Sequence, residues 1–385
     1  MDKFIPLSVP NLKGNEIKYV TDAIQKEWVS TGGSYINSFE ESISKYLGVG
    51  KAVACQSGTA CLHLALMLCN VSNNDEVIVP TLTFIATVNP VKYVGAEPIF
   101  MDCDDTLNMD LDKLRDFCEN ECIFENNRLI NKKTNKIIKA IIIVHIFGNI
   151  IDMEKLMNIA NKYNLKVIED STEALGSYIK KGKYEGRFAG TIGDFGCYSF
   201  NGNKIITTGG GGMLVSNNNE LLDKAKYLST QAKDDELNYI HNEIGYNYRM
   251  TNVQAAIGLA QLEKLEEFIS VKKENYKLFK ENLDNEYFKI LDFNDKIRPN
   301  YWFYSLFIKK DIDKNYLINY LNDNNIQARP IWGLIHKQKP YIKNQNYKIE
   351  KAEYYSNRIV NIPCSSNLKK EDVMYVIDTI NSIIK

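Results

Sequence analysis

Strand-like apolar runs alternating with helical ones are the feature that most restricts how this chain can fold. Val77-Ile78-Val79 stops at Pro80, Pro98-Ile99-Phe100-Met101 stops at Asp102, and Ile137 to Val144 is rich in β-branched residues. Asp152 to Tyr163 reads as a helix, and Lys166-Val167-Ile168 as a short strand. Runs apolar on both faces belong to a mostly parallel sheet with helices on each side, so the expected fold class is α/β. The runs end in polar residues: Asp102-Cys103-Asp104, His145 and Glu169-Asp170. Open sheets of this kind bind ligands beyond the carboxyl ends of their strands, which is where chemistry is sought.

After about Thr251 the texture changes. Thr251 to Asn285 reads as one long helical stretch, followed by strand-like Tyr301 to Ile308 and a closing helix from Glu371. The chain has 385 residues, against a guide of roughly 150 per domain. We expect a large α/β domain over 1–250 and, over 251–385, a bridging helix with a smaller α+β domain. Near the start, Asn15 can cap a helix on which Ile17, Val20, Ile24 and Trp28 follow helical spacing.

Charge and cysteine content narrow the function. Lys and Arg total 47 against 48 Asp and Glu, interspersed without a basic block, so no nucleic-acid partner is expected. Cys55, Cys61, Cys69, Cys103 and Cys197 lie in apolar or mixed segments and read as small buried hydrophobes. Cys118 and Cys122 lack a second pair for a zinc site, so no metal is expected. The opening Met1-Asp2-Lys3-Phe4-Ile5-Pro6 has neither the basic head nor the apolar stretch of a signal peptide. The greasiest segment, Ile137 to Ile151, is broken by Lys139, His145 and Asn149 and is too short to span a bilayer. A cytoplasmic protein without membrane contact is expected.

Several chemistries drop out for lack of their motifs. Gly209 to Gly212 is not followed by Lys-Ser/Thr in a phosphate-loop spacing, no Gly-x-Gly-x-x-Gly follows a strand, and no His-Glu-x-x-His occurs. What remains is a series of pieces. Ser57-Gly58-Thr59-Ala60 opens an apolar helix and can offer backbone N–H groups to an anion, though it is also a good capping sequence. Phe84 follows the strand ending at Pro80 and could cover a flat ring or pack in the core. Asp170 ends a buried strand, where a carboxylate needs a cation, donors or water, or else caps the next turn. Lys204 sits between Asn201-Gly202-Asn203 and an apolar run, where desolvation would lower its pKa and make an amine nucleophile; an ordinary surface amine is the other reading.

Taken in order, Ser57 to Ala60, Pro80 to Thr87, Ile168-Glu169-Asp170, Ser199-Phe200 with Lys204, the glycine run and Tyr246-Asn247-Tyr248-Arg249-Met250 resemble fold-type I pyridoxal-phosphate enzymes. More narrowly, and over nearly the whole chain, they resemble the DegT/DnrJ/StrS sugar aminotransferases. The resemblance implies that Lys204 joins pyridoxal 5'-phosphate covalently, Asp170 pairs with its ring nitrogen, Phe84 stacks on the ring, and Gly58, Thr59 and Ser199 hold the phosphate. It implies that Asn247 reaches the phosphate of the neighbouring subunit, making a homodimer with shared active sites. Glu173 stands where the family commonly has Gln, near the cofactor hydroxyl.

The implied activity moves the amino group of L-glutamate to a nucleotide-linked keto-sugar, supplying surface-glycan amino sugars. Some relatives carry His in place of Lys204 and act as dehydratases, so the lysine argues for transamination. Ile5 to Pro10, Phe200 to Lys204 and Gln327 to Trp332 resemble the branch making 4-amino sugars. That branch implies a 4-keto-6-deoxy-hexose, with a 2-acetamido group. Trp28, Ser30, Thr31, Arg329, Trp332 and His336 are candidates for its pocket, although Trp28 equally fits a core position and His336 a loop. Two rivals stay open: a 3-aminotransferase, and a non-catalytic regulatory protein on the same scaffold.

Overall fold

A computed structural model describes residues 3–235 and 237–384. Its central sheet runs, edge to edge, through Lys51–Cys55, Gly212–Ser216, Phe195–Ser199, Lys166–Asp170, Ile137–Val144, Asp75–Pro80, Glu97–Met101 and Asn346–Tyr347. Along this path all neighbours are parallel except Gly212–Ser216, which is antiparallel to both strands beside it.

Successive side chains in these strands enter opposite layers. Val79, Phe100, Ile142 and Ile168 share a core with the helix Gly58–Leu68, whereas Ile78, Ile99, Ile141 and Val167 share one with Leu111–Asn120 and Met153–Lys162. Burial on both faces explains the uninterrupted apolar runs. The helix Gly58–Leu68 is buried almost all round, as its lack of a polar face requires. All eight cysteines are buried and unpaired.

The expected single helix from Thr251 is two. Thr251 and Gln254 form a reciprocal capping box that starts Asn252–Leu262, and Leu265–Asn282 resumes beyond Glu263 and Lys264. The break lets the first helix pack on Glu16–Gln25 and Ser34–Leu47. The second carries Leu265 and Phe268 into that body and Tyr276 and Phe279 into the C-terminal core.

That C-terminal core surrounds an antiparallel sheet of Phe288–Ile290, Tyr304–Ile308, Ile359–Ile362 and Arg329–Pro330. Chain order and lobe do not coincide. Ile5 and Leu7 lie in the C-terminal core, and Ile5 bridges Ile326. In return Asn346–Tyr347 joins the central sheet, and Ile297–Arg298 pairs with Tyr178–Ile179. A cut at residue 250 therefore leaves segments of each lobe on the wrong side. Among the described residues no helix is long and apolar enough to cross a membrane.

Candidate active site

Strand register brings the separated motifs together. Cys55 pairs with Gly212, Gly212 with Ser199, and Asp170 with Cys197, so the segments that follow converge at the carboxyl edge of the sheet. Ser57 caps the helix Gly58–Leu68 through its side chain, which accepts from Ala60 N. The first-turn N–H groups of Gly58 and Thr59 have no intrahelical acceptor and face outward along the axis. A Cβ at Gly58 would lie 3.0 Å from both Ser199 Cβ and Thr172 Cγ2. Glycine thus leaves a cradle of amides and a hydroxyl suited to an anion at a helix N-terminus.

Beside the cradle stands Asp170, 2% exposed. Thr87 Oγ1 donates to its Oδ2 at 2.7 Å and Thr172 N to its Oδ1 at 3.2 Å. Phe84, just upstream of Thr87, leaves its ring 54% exposed, so the core reading of this residue does not hold. Behind Asp170, the wholly buried Glu169 accepts from Gly190 N and Ile192 N, both at 2.7 Å, from Gly193 N at 2.5 Å, and from His145 Nε2 at 2.8 Å. Burial pushes its carboxyl up, but His145 and the amides prevail and hold it below the ordinary value.

Lys204 is half-buried, with its Nζ 4.0 Å from the centre of the Trp302 ring. Enclosure lowers the proton affinity of this amine, against the opposing pull of the Glu173 and Asp170 carboxylates. Glu173 is buried and accepts from Phe147 N at 2.8 Å through Oε2. Burial raises its pKa to about 7, which Lys204 and the Phe147 amide counter and Asp170 reinforces.

The sugar-pocket candidates divide. Trp332 packs on Phe147 with ring centres 5.1 Å apart, and His336 Nδ1 meets Thr81 Oγ1 at 2.6 Å, directly after the strand Asp75–Pro80; both therefore reach the carboxyl edge. His336 is consequently more than a free loop residue. Arg329 is exposed on its short strand. Trp28 lies beyond the end of its helix and is 60% exposed, which corrects the core reading; Ile17 and Ile24, on the face it continues, are exposed as well. Ser30 is exposed and Thr31 half-buried; Ser30 O accepts from Asn252 N at 2.6 Å, which ties their loop to the helix Asn252–Leu262. Asn247 is exposed and bridges Thr230.

Sequence reasoning missed Thr87 and Thr172 as partners of Asp170, and Phe147 and Trp302 as neighbours of Glu173 and Lys204. The Phe147-Gly148 pair after a strand-end histidine is a turn signal that could have exposed the first of these last two. Nothing local marks Trp302, whose role depends on the C-terminal lobe folding back.

Comparison with known proteins matches this geometry to a family. The family model of DegT/DnrJ/EryC1/StrS aminotransferases matches residues 10–381. The chain is 40% identical to the GDP-perosamine synthase of Escherichia coli O157:H7, over 98% of each chain. It is 30% identical to the UDP-4-amino-4,6-dideoxy-N-acetyl-beta-L-altrosamine transaminase of Campylobacter jejuni strain 81-176, over 99% of this chain and 98% of that one. Among solved structures, a DegT DnrJ EryC1 StrS aminotransferase from Brucella abortus superposes with a TM-score of 0.87 at 25% identity, covering 96% of this chain and 95% of that one. The chain belongs to the DegT/DnrJ/EryC1/StrS aminotransferase family.

Proposed function

We propose that this protein is a pyridoxal-phosphate-dependent aminotransferase that moves the amino group of L-glutamate to C4 of a nucleotide-linked 4-keto-6-deoxy-hexose. The observation that carries this reading is an enclosed lysine of lowered proton affinity, with the buried Glu173 and Asp170 carboxylates acting on it, at the sheet edge that also holds the Gly58–Ser199 cradle. The donor set fits the cofactor end to end: amides and a hydroxyl for a phosphate, a carboxylate for a ring nitrogen, an exposed Phe84 ring for a flat face, and an amine. When bound, pyridoxal phosphate supplies a carbonyl for amines and a ring that accepts electrons.

The rest falls to side chains of this chain. Gly58, Thr59 and Ser199 hold the phosphate, Asp170 keeps the ring nitrogen protonated, and Glu173 stands beside the ring hydroxyl. Lys204, its ammonium weakened by enclosure, would take the proton from the α-carbon of glutamate as base and deliver it as acid to the cofactor carbon that carried the carbonyl. Trp332 and His336, at the same edge, line the sugar side, with Arg329, Trp28, Ser30 and Thr31 on the approach. The exposed Asn247, together with the exposed apolar Ile17, Ile24 and Trp28, supports a homodimer in which Asn247 completes the neighbour's phosphate site.

The 40% relative is named for a GDP-linked sugar and the 30% relative for a UDP-linked, N-acetylated one. The first favours GDP; the second favours UDP and the 2-acetamido reading drawn from the sequence. Mass spectrometry of products from GDP-, UDP- and dTDP-linked 4-keto and 3-keto sugars, each with glutamate, decides among them. Amination of a GDP-linked 4-keto-6-deoxy-hexose is the expected result. Turnover of 3-keto sugars alone would replace the C4 assignment with C3, and no amination of any sugar would end the enzymatic reading.

A further inference from the structure

Trp302 makes a contact that the roles assigned so far leave unused. Its indole is 2% exposed, and the Lys204 amine stands 4.0 Å from the ring centre. The indole N–H donates to Asn203 O at 2.7 Å, so the ring is fastened to the turn that carries the lysine.

A buried hub secures the ring from behind. Asn300 is 0% exposed and spends its whole side chain. Its Oδ1 accepts from Trp302 N at 3.0 Å, and its Nδ2 donates to Glu173 O at 2.9 Å and Leu175 O at 3.0 Å. Its backbone N donates to Ser177 Oγ at 2.9 Å, and that hydroxyl donates to Gly148 O at 2.8 Å. Gly148 adopts φ +91°, and a Cβ there would fall 2.0 Å from Asn300 Oδ1, so glycine alone permits the approach. Phe147, just before it, holds φ 54°, a costly conformation for a bulky residue. From there its amide reaches Glu173 and its ring packs on Trp302 with centres 6.0 Å apart. One network thus locks together the carboxylate and the indole that act on the Lys204 amine.

An aromatic face attracts an ammonium, and more strongly when water is excluded. A lysine that must release and regain a covalent partner needs somewhere to wait without swinging into solvent. We propose that Trp302 is a positioning residue whose indole face seats the Lys204 amine whenever that amine is not covalently engaged, with Asn300 holding the seat in place. The proposal rests on Lys204 as the reactive amine.

The test uses enzyme reconstituted with pyridoxamine phosphate, which leaves the lysine free. Acetic anhydride labelling of Lys204 across pH, read by peptide mass spectrometry, gives the midpoint at which the amine loses its proton. An indole face favours the charged amine, so Trp302→Leu should move this midpoint down by about one pH unit. Trp302→Phe should move it less, since a phenyl face remains. Glu173 and Asp170, the other charged groups acting on this amine, stay unchanged in both. With the pyridoxal form, the single-turnover rate with glutamate should fall roughly 10-fold in Trp302→Leu with little change in KM, and recover largely in Trp302→Phe.

An unmoved midpoint in variants that melt like the wild type would overturn the proposal. So would a slowed rate without a shift, which would reduce Trp302 to packing. If Trp302→Leu does not fold, Trp302→Phe alone decides by the same midpoint. Lys204→Ala tests the underlying assignment separately: cofactor still fixed to that variant by borohydride would remove Lys204 as the amine, whatever the Trp302 variants do.

Discussion

Glu169 and Glu173 are both buried carboxyls, yet their proton affinities move in opposite directions. The difference is in donors: Glu169 has His145 and three amides, whereas Glu173 has the Phe147 amide alone. Glu173 rises from an ordinary 4.5 to about 7, so the native state binds the extra proton between those values. Its contribution to stability is therefore complete below about pH 4.5 and is lost as pH climbs through about 7. Glu173→Gln should remove this loss, making the variant gain on wild type by about 1–3 kcal/mol between pH 5 and pH 8 in urea titrations. A gain of the same size at both pH values would contradict the assignment. The role proposed for Asp170, pairing with the ring nitrogen of the cofactor, makes a different demand. Asp170→Asn should cost on the order of 100-fold or more in kcat while the melting temperature stays within a few degrees. Full turnover in that variant would detach Asp170 from the ring nitrogen.

At the scale of elements, Asp102 shows how a strand end docks a distant segment. The side chain is wholly buried and takes Lys113 Nζ at 2.7 Å together with the amides of Glu350, Lys351 and Ala352 at 3.0, 2.9 and 2.7 Å. Burial pushes its pKa up, but Lys113 and these amides outweigh that and hold it low. Two of the donors are the opening amides of the short helix Lys351–Ser356 and a third is its N-cap Glu350, so one carboxylate fastens the C-terminal lobe to the central sheet. Asp102→Ala strands those donors and should cost roughly 3 kcal/mol, read as a lower urea midpoint. The strands and the helices Gly58–Leu68 and Met153–Lys162 were legible because burial on two faces, or on one, writes its period into the residues. The break at Glu263 and Lys264 was not, since both residues suit a helix and only the packing of the halves on different cores forces it. Nor did the hairpin Cys122–Glu125 with Arg128–Asn131 stand out, although Asn126 and Asn127, with φ 48° and 61°, are turn residues of the right kind.

For the molecule as a whole, apolar residues near the N-terminus stand out to solvent in the single chain. Ile17 is 80% exposed and Ile24 56%, on a helix whose spacing would otherwise place them in a core, and Trp28, just beyond its end, is 60% exposed. Ile244, three residues before Asn247, is 83% exposed. In the proposed homodimer a second copy would cover these residues. Mixing Lys204→Ala chains with Asn247→Ala chains, each inactive alone, should then restore about a quarter of wild-type activity, because half the dimers carry one intact site of two. No restoration, in mixtures shown by native mass spectrometry to exchange subunits, would place Asn247 and Lys204 in the site of one chain.

Family membership was open to reading along the chain because the motifs around Gly58, Asp170, Ser199 and Lys204, each ambiguous alone, occur together in one order. Layering was equally open, because side-chain alternation depends only on neighbours. The company these residues keep belongs to tertiary structure. Register set Gly58 against Ser199, the returning C-terminal lobe laid Trp302 over Lys204, and a single amide from a strained Phe147 tuned Glu173. Proton affinity and orientation arise from desolvation and donors supplied by segments remote in sequence, and these exist only once the lobes have closed on each other.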